Sequence, residues 1–474
     1  MSLFSFAVPA TSWTAPEVME QEEVWGADLY CGLAAQILGR EQWRSLKEMR
    51  GRCLEGWRVS LNPDAADYDA AIEDAAIYRQ SNLDGMRFRL DLSHWEEPTI
   101  DGEDYCVQPG DVVLNKLVPI RAVLVTSRAY RHPVDANCLI IRGLDQATAA
   151  WVAFCLNQPA YEAYLTQHQG LAVLPRASLR ELRQLRLPDR PPEMQRLGER
   201  VWELNDQGLE SEEALVRCMK EVEAWVVEDL AQVEAEGRFG LRSLAGTGRF
   251  VDAASIEDSW VPRQVENADW RRGLRRLGWL PIEKLRVQDG VGRGRLGQVE
   301  PGMACVRLGD GDEMLMLKPI EPGAVSQVHR IFEQVLMQGE VLVSTFIFNP
   351  RVVFVDRQPE TPLYVSDHWA RLRFGETAGA WALLLNTKVV QAQMAGLAMG
   401  GVQQFMPSGA IDRVMLPNVR VEVRRRWEDC VMRHHQRKQE LNREFQAVLV
   451  EMQALFRREH RQDGRVGEVQ EVMR

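Results

Sequence analysis

The sequence contains no C-x-x-C pair, although eight cysteines are spread along it at positions 31, 53, 106, 138, 155, 218, 305 and 430. That spacing excludes the common zinc motifs. In a chain of 474 residues it reads as reduced, mostly buried thiols and not as a disulfide framework. Long apolar runs are also missing: no uninterrupted run, 381–385 and 447–450 included, approaches the ~18 residues needed to span a bilayer. Residues 1–39 hold no Lys or Arg and five acids, unlike a signal or transit peptide. These absences lead us to expect a cytoplasmic protein with no membrane association. No G-x-x-x-x-G-K-[ST], H-E-x-x-H or G-x-S-x-G motif occurs. Asp189, Glu283 and Lys284 can be forced into a nuclease pattern, but their spacing straddles a predicted helix and two units. A non-catalytic chain with no metal and no cofactor of its own is expected.

What is present is enough apolar material, 45% of residues, for more than one core. The net charge of −11 is unevenly placed. Residues 191–236 carry thirteen acids against four bases, while 419–462 carry eleven bases against seven acids. Both segments have a helical apolar stripe. In the first, Leu215, Met219, Val222, Val226, Leu230 and Val233 recur at steps of three and four. In the second, Trp427, Val431, His434, Leu441, Phe445, Val448, Met452 and Leu455 recur at steps of three and four with one step of seven. Pro191-Pro192 suits the start of the first helix, Gly237 its stop, and Gly208 a bend or break. An acidic and a basic amphipathic helix favour pairing with each other over self-pairing. His434, on the stripe, reads as a packed histidine and not as a metal ligand.

The two helices each follow a copy of the same pattern. Gly110-Asp111-Val112-Val113-Leu114 matches Gly339-Glu340-Val341-Leu342-Val343, Val123-Leu124-Val125 matches Val353-Phe354-Val355, and Trp151 matches Trp381. Leu156-Asn157 matches Leu385-Asn386, Gly170 matches Gly400, and Leu187-Pro188 matches Leu416-Pro417. Every offset is 229 or 230 residues. Each copy is predicted to run from a Gly-acid turn into β-rich segments (111–118 and 122–127; 340–348 and 351–356). An amphipathic helix follows (146–168; 376–394), then a short strand ending in Leu-Pro, then the long helix. A helix of about 40 residues spans roughly 60 Å, close to two turns of B-DNA at roughly 34–36 Å each. Two unlike globules held that far apart suit a two-part, asymmetric target.

This order resembles the specificity subunits of type I restriction-modification systems. The residues carrying the resemblance are Tyr78-Arg79-Gln80-Ser81-Asn82-Leu83-Asp84-Gly85, the Gly110–Leu114 turn and strand, the helix ending in Gly170, the Leu187-Pro188 strand end, and Pro191-Pro192-Glu193-Met194-Gln195-Arg196-Leu197. The last is similar to the family's proline–glutamate–glutamine lead-in to the central helix. Copy two departs from the pattern, with Leu416-Pro417-Asn418-Val419-Arg420 at that lead-in, Ser344-Thr345 in place of Asn115-Lys116, and Pro319-Ile320-Glu321-Pro322-Gly323 in place of Asn-Leu-Asp-Gly. A divergent member, as in a methylation-based phage-defence system, is the reading.

The resemblance implies an α+β fold with pseudo-two-fold symmetry: target recognition domain one at 40–190, spacer helix one at 191–236, target recognition domain two at 237–418, spacer helix two at 419–462 and a tail at 463–474. A helical extension is expected at 1–39, which with the acidity of the first spacer departs from the usual pattern. The spacers would pair as an antiparallel coiled coil. It further implies double-stranded DNA as ligand and two adenine-methyltransferase subunits as partners, with a restriction/translocase subunit as a further one. S-adenosylmethionine would sit on the methyltransferase. This chain has no Asn-Pro-Pro-aromatic tetrad of its own; Asn62-Pro63-Asp64 and Asn349-Pro350-Arg351 are not that motif. The alternative is an interaction scaffold of a defence complex that keeps the fold without reading bases.

Candidate DNA contacts follow from side-chain chemistry, since Arg suits guanine, Asn suits adenine and Lys anchors phosphates. In copy one they are Arg79, Gln80 and Asn82, and then Asn115, Lys116, Arg121, Arg128 and Arg131. In copy two they are Arg271, Arg272 and Arg275, with Arg293 and Arg295 in a Gly/Arg-rich loop. That loop contains a formal G-x-G-x-x-G at 292–297, which can be read as a phosphate-approaching loop, a nucleotide turn or an ordinary surface turn. The same cations can also be a solvated face.

Overall fold

The computed structural model describes residues 44–49, 51–55, 76–90, 92–95, 106–128, 132–167, 176–235, 271–287, 296–297, 304–318, 320, 330–346, 351–399, 405–407 and 409–462. By contacts the chain divides into two units, Met1–Glu210 with Gln439–Arg474, and Ser211–Lys438. The expected extension at 1–39, the tail at 463–474, Gly237 and the Gly/Arg loop at 288–295 lie outside the described residues.

Unit one is built on a four-stranded antiparallel sheet. Strands β1 (Arg44–Ser45), β2 (Arg52–Glu55), β3 (Leu83–Asp84), β4 (Arg87–Phe88), β5 (Val112–Asn115), β6 (Ala122–Leu124) and β7 (Cys138–Arg142) precede helices α1 (Gln146–Leu156), α2 (Pro159–Gln167) and α3 (Leu179–Gln184). Strand β8 (Arg186–Leu187) then leads to α4 (Met194–Ala235). The sheet order is β2-β7-β5-β6, while β8 pairs with β1 and β3 with β4. Helix α1 lies in the core with residues 147 and 149–156 all buried, so it has no solvent face. Its alanines allow close approach to the sheet, and Trp151 Nε1 donates to Pro188 O at 3.0 Å.

The single helix expected over 146–168 is two helices, and the break has a physical cause. Asn157 turns its amide onto strand β6: Nδ2 donates to Ala122 O at 2.7 Å and Oδ1 accepts from Ala122 N at 3.1 Å. A side chain thus occupies the hydrogen-bonding edge of the sheet and ends α1.

Unit two repeats this plan. It contains β9 (Leu280–Pro281), α5 (Ile282–Leu285), β10 (Leu296–Gly297), β11 (Ala304–Val306), β12 (Ile331–Phe332), β13 (Glu340–Ser344), β14 (Val352–Phe354), β15 (Leu363–Val365) and β16 (Trp369–Arg373). Next come α6 (Ala378–Leu385), α7 (Lys388–Gly396), β17 (Met415–Leu416) and α8 (Val421–Gln462). The order β14-β13-β16 is that of β6-β5-β7, and β17 pairs with β9 as β8 does with β1. The helix expected over 376–394 is again split, at Asn386-Thr387, matching Asn157-Gln158.

A buried ion pair braces the Gly-acid turn in each unit. Gly110 and Gly339 adopt φ of +93° and +82°, a conformation that costs glycine little. The acid that follows is wholly buried. Asp111 meets Arg142 from the end of β7, with Oδ2 to Nη2 at 2.8 Å. Glu340 meets Arg371 at 2.8 Å and Arg373 at 3.1 Å, both from β16. Arg371 is itself only 1% exposed and also donates to Gln334 O and Val335 O. The motif conspicuous in the sequence is therefore a structural brace.

Helices α4 and α8 are each 42 residues long, and α4 runs through Gly208 without interruption. Each unit contains one stretch of both helices. In unit one, Leu197, Val201 and Leu204 share a core with Leu441, Phe445, Val448 and Met452. Rim pairs Glu193–Arg458, Arg196–Glu451 and Arg200–Glu444 descend along α8 as they ascend α4, so the stretches run antiparallel. In unit two, Leu215, Val222, Val226 and Leu230 are buried, as are Trp427 and Val431. Glu212–Lys438 and Glu221–Arg426 again give an antiparallel register. Met219, assigned to the stripe from sequence, is only half-buried; its neighbour Cys218 takes the buried position. The 3-4 alternation allows either residue, and the smaller one faces inward.

His434 is packed, as its place on the stripe suggests. Its Nδ1 lies 3.0 Å from both Ser211 Oγ and Ser211 O, and burial pushes its pKa well below the ordinary histidine value. The unfolded chain then takes up a proton near pH 6.5 that the folded chain refuses. Stability held above that pH falls as the pH drops below it. Urea unfolding between pH 7.5 and 5 should show this loss, and His434→Gln should flatten it. Glu340→Gln, which strands two arginines, should cost about 3 kcal/mol in the same assay. Arg196→Ala, at an exposed pair, should cost no more than about 0.5 kcal/mol.

Candidate nucleic-acid interface

In unit one the candidate contacts gather around a single-turn helix, Gln80–Asn82, and the β3–β4 hairpin. The hairpin turns through Gly85 at φ +60°. It is held from below by both long helices. Asn205 of α4 donates to Met86 O at 3.2 Å, and Arg87 donates to Asn442 of α8 at 2.8 Å. The Arg87 guanidinium also lies 4.5 Å above the Phe445 ring.

On this base Arg79 and Gln80 are exposed. Arg121 is half-exposed, donates to Leu83 O at 3.3 Å and lies 3.9 Å from Asp84. Arg89, which sequence reasoning missed, lies 4.0 Å from the same carboxylate. Two arginines, Arg89 and Arg121, flank this one acid, and with the exposed Arg79 a few residues earlier the lip carries more positive than negative charge. Arg89 carried no motif signal; only the hairpin's register places it beside Asp84.

Other candidates belong to the fold, which corrects the expectation drawn from their side-chain chemistry. Asn82 is 1% exposed: its Oδ1 accepts from Arg79 N and its Nδ2 donates to Arg89 O. Asn115 donates to Leu117 O and Pro119 O and accepts from Arg121 N, which closes the turn after β5. Lys116 is buried, donates to Ala136 O at 2.7 Å and faces Glu55 at 3.6 Å. In copy two Ser344 donates to Phe346 O at 2.6 Å and Thr345 donates to His368 O at 2.8 Å. In both units the first position closes the turn and the second ties it to the segment entering the neighbouring strand, and the missing lysine cation in copy two costs no exposed contact. Arg128 lies 3.5 Å from Glu210, beside the Ser127–Asp206 hydrogen bond, so this loop is tied to α4.

In unit two Arg271 and Arg272 are half-buried in a helix at 271–276, and Arg275 is exposed on it. Arg131, Arg293 and Arg295 lie outside the described residues. Among the described residues no cluster of His, Cys, Asp and Glu could hold a metal ion. No described helix is long and apolar enough to cross a membrane.

The sequence matches no protein-family profile. It matches no curated protein either. Among solved structures the chain is similar to the type I restriction-modification S subunit from M. genitalium, at 9% identity, covering 90% of this chain and 98% of that one, with a TM-score of 0.33. It is also similar to the HsdS subunit from Thermoanaerobacter tengcongensis, at 13% identity, 87% and 97% coverage and a TM-score of 0.23. A third similar chain comes from a structure described as showing complex assembly and conformational transition of the type I R-M system. The identity there is 15%, the coverage 88% and 95%, and the TM-score 0.23.

The division between lip and fold is measurable. Asn115→Ala leaves three backbone groups short of a partner and should lower stability by about 2 kcal/mol. Arg79→Ala, at an exposed position, should change it by no more than about 0.5 kcal/mol. Chemical denaturation of both variants checks this.

Proposed function

We propose that this chain is a DNA specificity subunit, which reads an asymmetric bipartite site in double-stranded DNA and directs a partner adenine methyltransferase to it. The observation that supports this most is the recurrence along the chain of one series: three antiparallel strands, a helix broken after its first half by an asparagine, a short strand pair and then a 42-residue helix. A duplicated reader needs two equivalent folds with unlike surfaces. Here the strand plans agree while the exposed cations differ: Arg79, Arg89 and Arg121 beside the single-turn helix of unit one, and Arg275 on the 271–276 helix ahead of β9 in unit two.

In this reading the two globules are target recognition domains, and α4 and α8 form an antiparallel coiled coil that spaces them and docks two methyltransferase subunits. The methyl donor, S-adenosylmethionine, is carried by the partner, and this chain is non-catalytic and cytoplasmic. A restriction/translocase subunit can join the same assembly. The arginine lip would contribute phosphate contacts and, where a fork reaches the major groove, guanine contacts.

A second reading, an interaction scaffold without base readout, is favoured by one observation: Asn82, Asn115 and Lys116, which looked like base and phosphate contacts, are spent inside the fold. Salt dependence separates the two readings. A specificity subunit binds duplex DNA with an affinity that falls steeply with salt. Arg79→Ala should weaken that binding and reduce the logarithmic salt slope by about 1. Co-expression with methyltransferase subunits should place methyl groups at a split motif, read by methylome sequencing. A complex that forms without DNA binding or motif methylation would support the scaffold.

A further inference from the structure

In unit two, one level of the seam is made of two cysteines. Cys218 of α4 is buried between Leu215 and Val222, and Cys430 of α8 is half-buried between Trp427 and His434. The rim pairs fix their level. Glu212–Lys438 and Ser211–His434 lie on one side, and Glu221–Arg426 on the other. Positions 218 and 430 therefore fall opposite each other. Cys430 Sγ reaches across to the Ala214 carbonyl at 3.9 Å, and that carbonyl lies one helical turn before Cys218. Helix axes 8–10 Å apart bring directly facing Cα atoms to roughly 3.5–5.5 Å, which overlaps the range a disulfide bridges.

We propose that Cys218 and Cys430 form a redox-closable pair, which a low-molecular-weight disulfide such as oxidised glutathione converts into a covalent tie between α4 and α8. The chemistry of the two sulfurs is unequal in the way such a step requires. The Cys218 thiol donates to Cys430, and this bond, with Arg433 and Arg217 nearby, brings the Cys430 pKa down to about 7. Cys218 is pushed up correspondingly by the same bond and by burial. Cys430 is thus the attacking thiolate at neutral pH. Its other surroundings leave it partly open to solvent, whereas Cys53, Cys106, Cys138, Cys155 and Cys305 are buried.

The steps balance. The Cys430 thiolate attacks one sulfur of the small disulfide, forming a mixed disulfide and expelling one small thiolate, which takes the Cys218 proton. The Cys218 sulfur then attacks the Cys430 sulfur and expels the second small thiolate, which is protonated from water. Two protein thiols lose two electrons, and one small disulfide becomes two small thiols.

The test uses the full-length chain, reduced, desalted and treated with oxidised glutathione. Unreduced peptide mapping should give one linked species joining the peptides of Cys218 and Cys430. The folded protein should also show a raised thermal midpoint that dithiothreitol reverses. Cys218→Ser should instead hold a stable glutathione adduct on Cys430, and Cys430→Ser should yield neither product. Two results in the wild-type chain would overturn the proposal: a persistent glutathione adduct on Cys430 with Cys218 still free, or both thiols fully alkylatable after treatment. Because the wild-type readout stands alone, a folding defect in either variant does not obscure it.

Discussion

The apolar seam between α4 and α8 is the constraint on which the remaining architecture rests. Neither helix could persist alone, because each is long, highly charged and apolar along only one stripe. Within unit one the seam is continuous with the core of the sheet domain: Phe456 packs 6.0 Å from Trp151 and 6.1 Å from Phe154. Within unit two Trp225 meets Trp427 at 5.7 Å, and Glu428 of α8 accepts the Ala380 N–H at the start of α6. The long helices therefore form part of each unit's folding core.

The two units solve a shared problem with different residues. Both must anchor the turn that starts the central strand, and both bury an acid against arginine from the neighbouring strand. Asp111 uses one arginine, and Glu340 uses two. Both must close the turn after that strand and tie it to the segment entering the neighbouring strand, and Asn115-Lys116 does with an amide and an ammonium what Ser344-Thr345 does with two hydroxyls. Divergence of this kind leaves the backbone plan intact while the exposed residues change, as a reader of two unlike half-sites would require.

Much of this plan was legible in the sequence because it depends on spacing. The two long helices begin and end within a few residues of expectation, since their stripes persist over about five turns or more. The central strands follow their Gly-acid turns for the same reason. What spacing could not show was where a polar side chain spends its hydrogen bonds. Asn157 and Asn115 look like surface residues in the sequence, yet one ends a helix by bonding a strand edge and the other closes a turn. Arg142 and Arg371 lie about 30 residues beyond their acids, so only the sheet register joins them; an arginine recurring within an apolar strand of both copies was the available signal. Met219 and Cys218 differ by one position, which a stripe of threes and fours does not resolve. Arg89 became a candidate only through its neighbour Asp84.

The seam's role is tested most directly by hydrogen exchange on a Val431→Asp variant. Val431 is fully buried on α8 within unit two. A carboxylate there should release protection along α8 and, equally, along the facing stretch of α4 at residues 215–230. If α4 keeps its protection while α8 alone opens, the two helices do not stabilise each other, and the account given of both units fails.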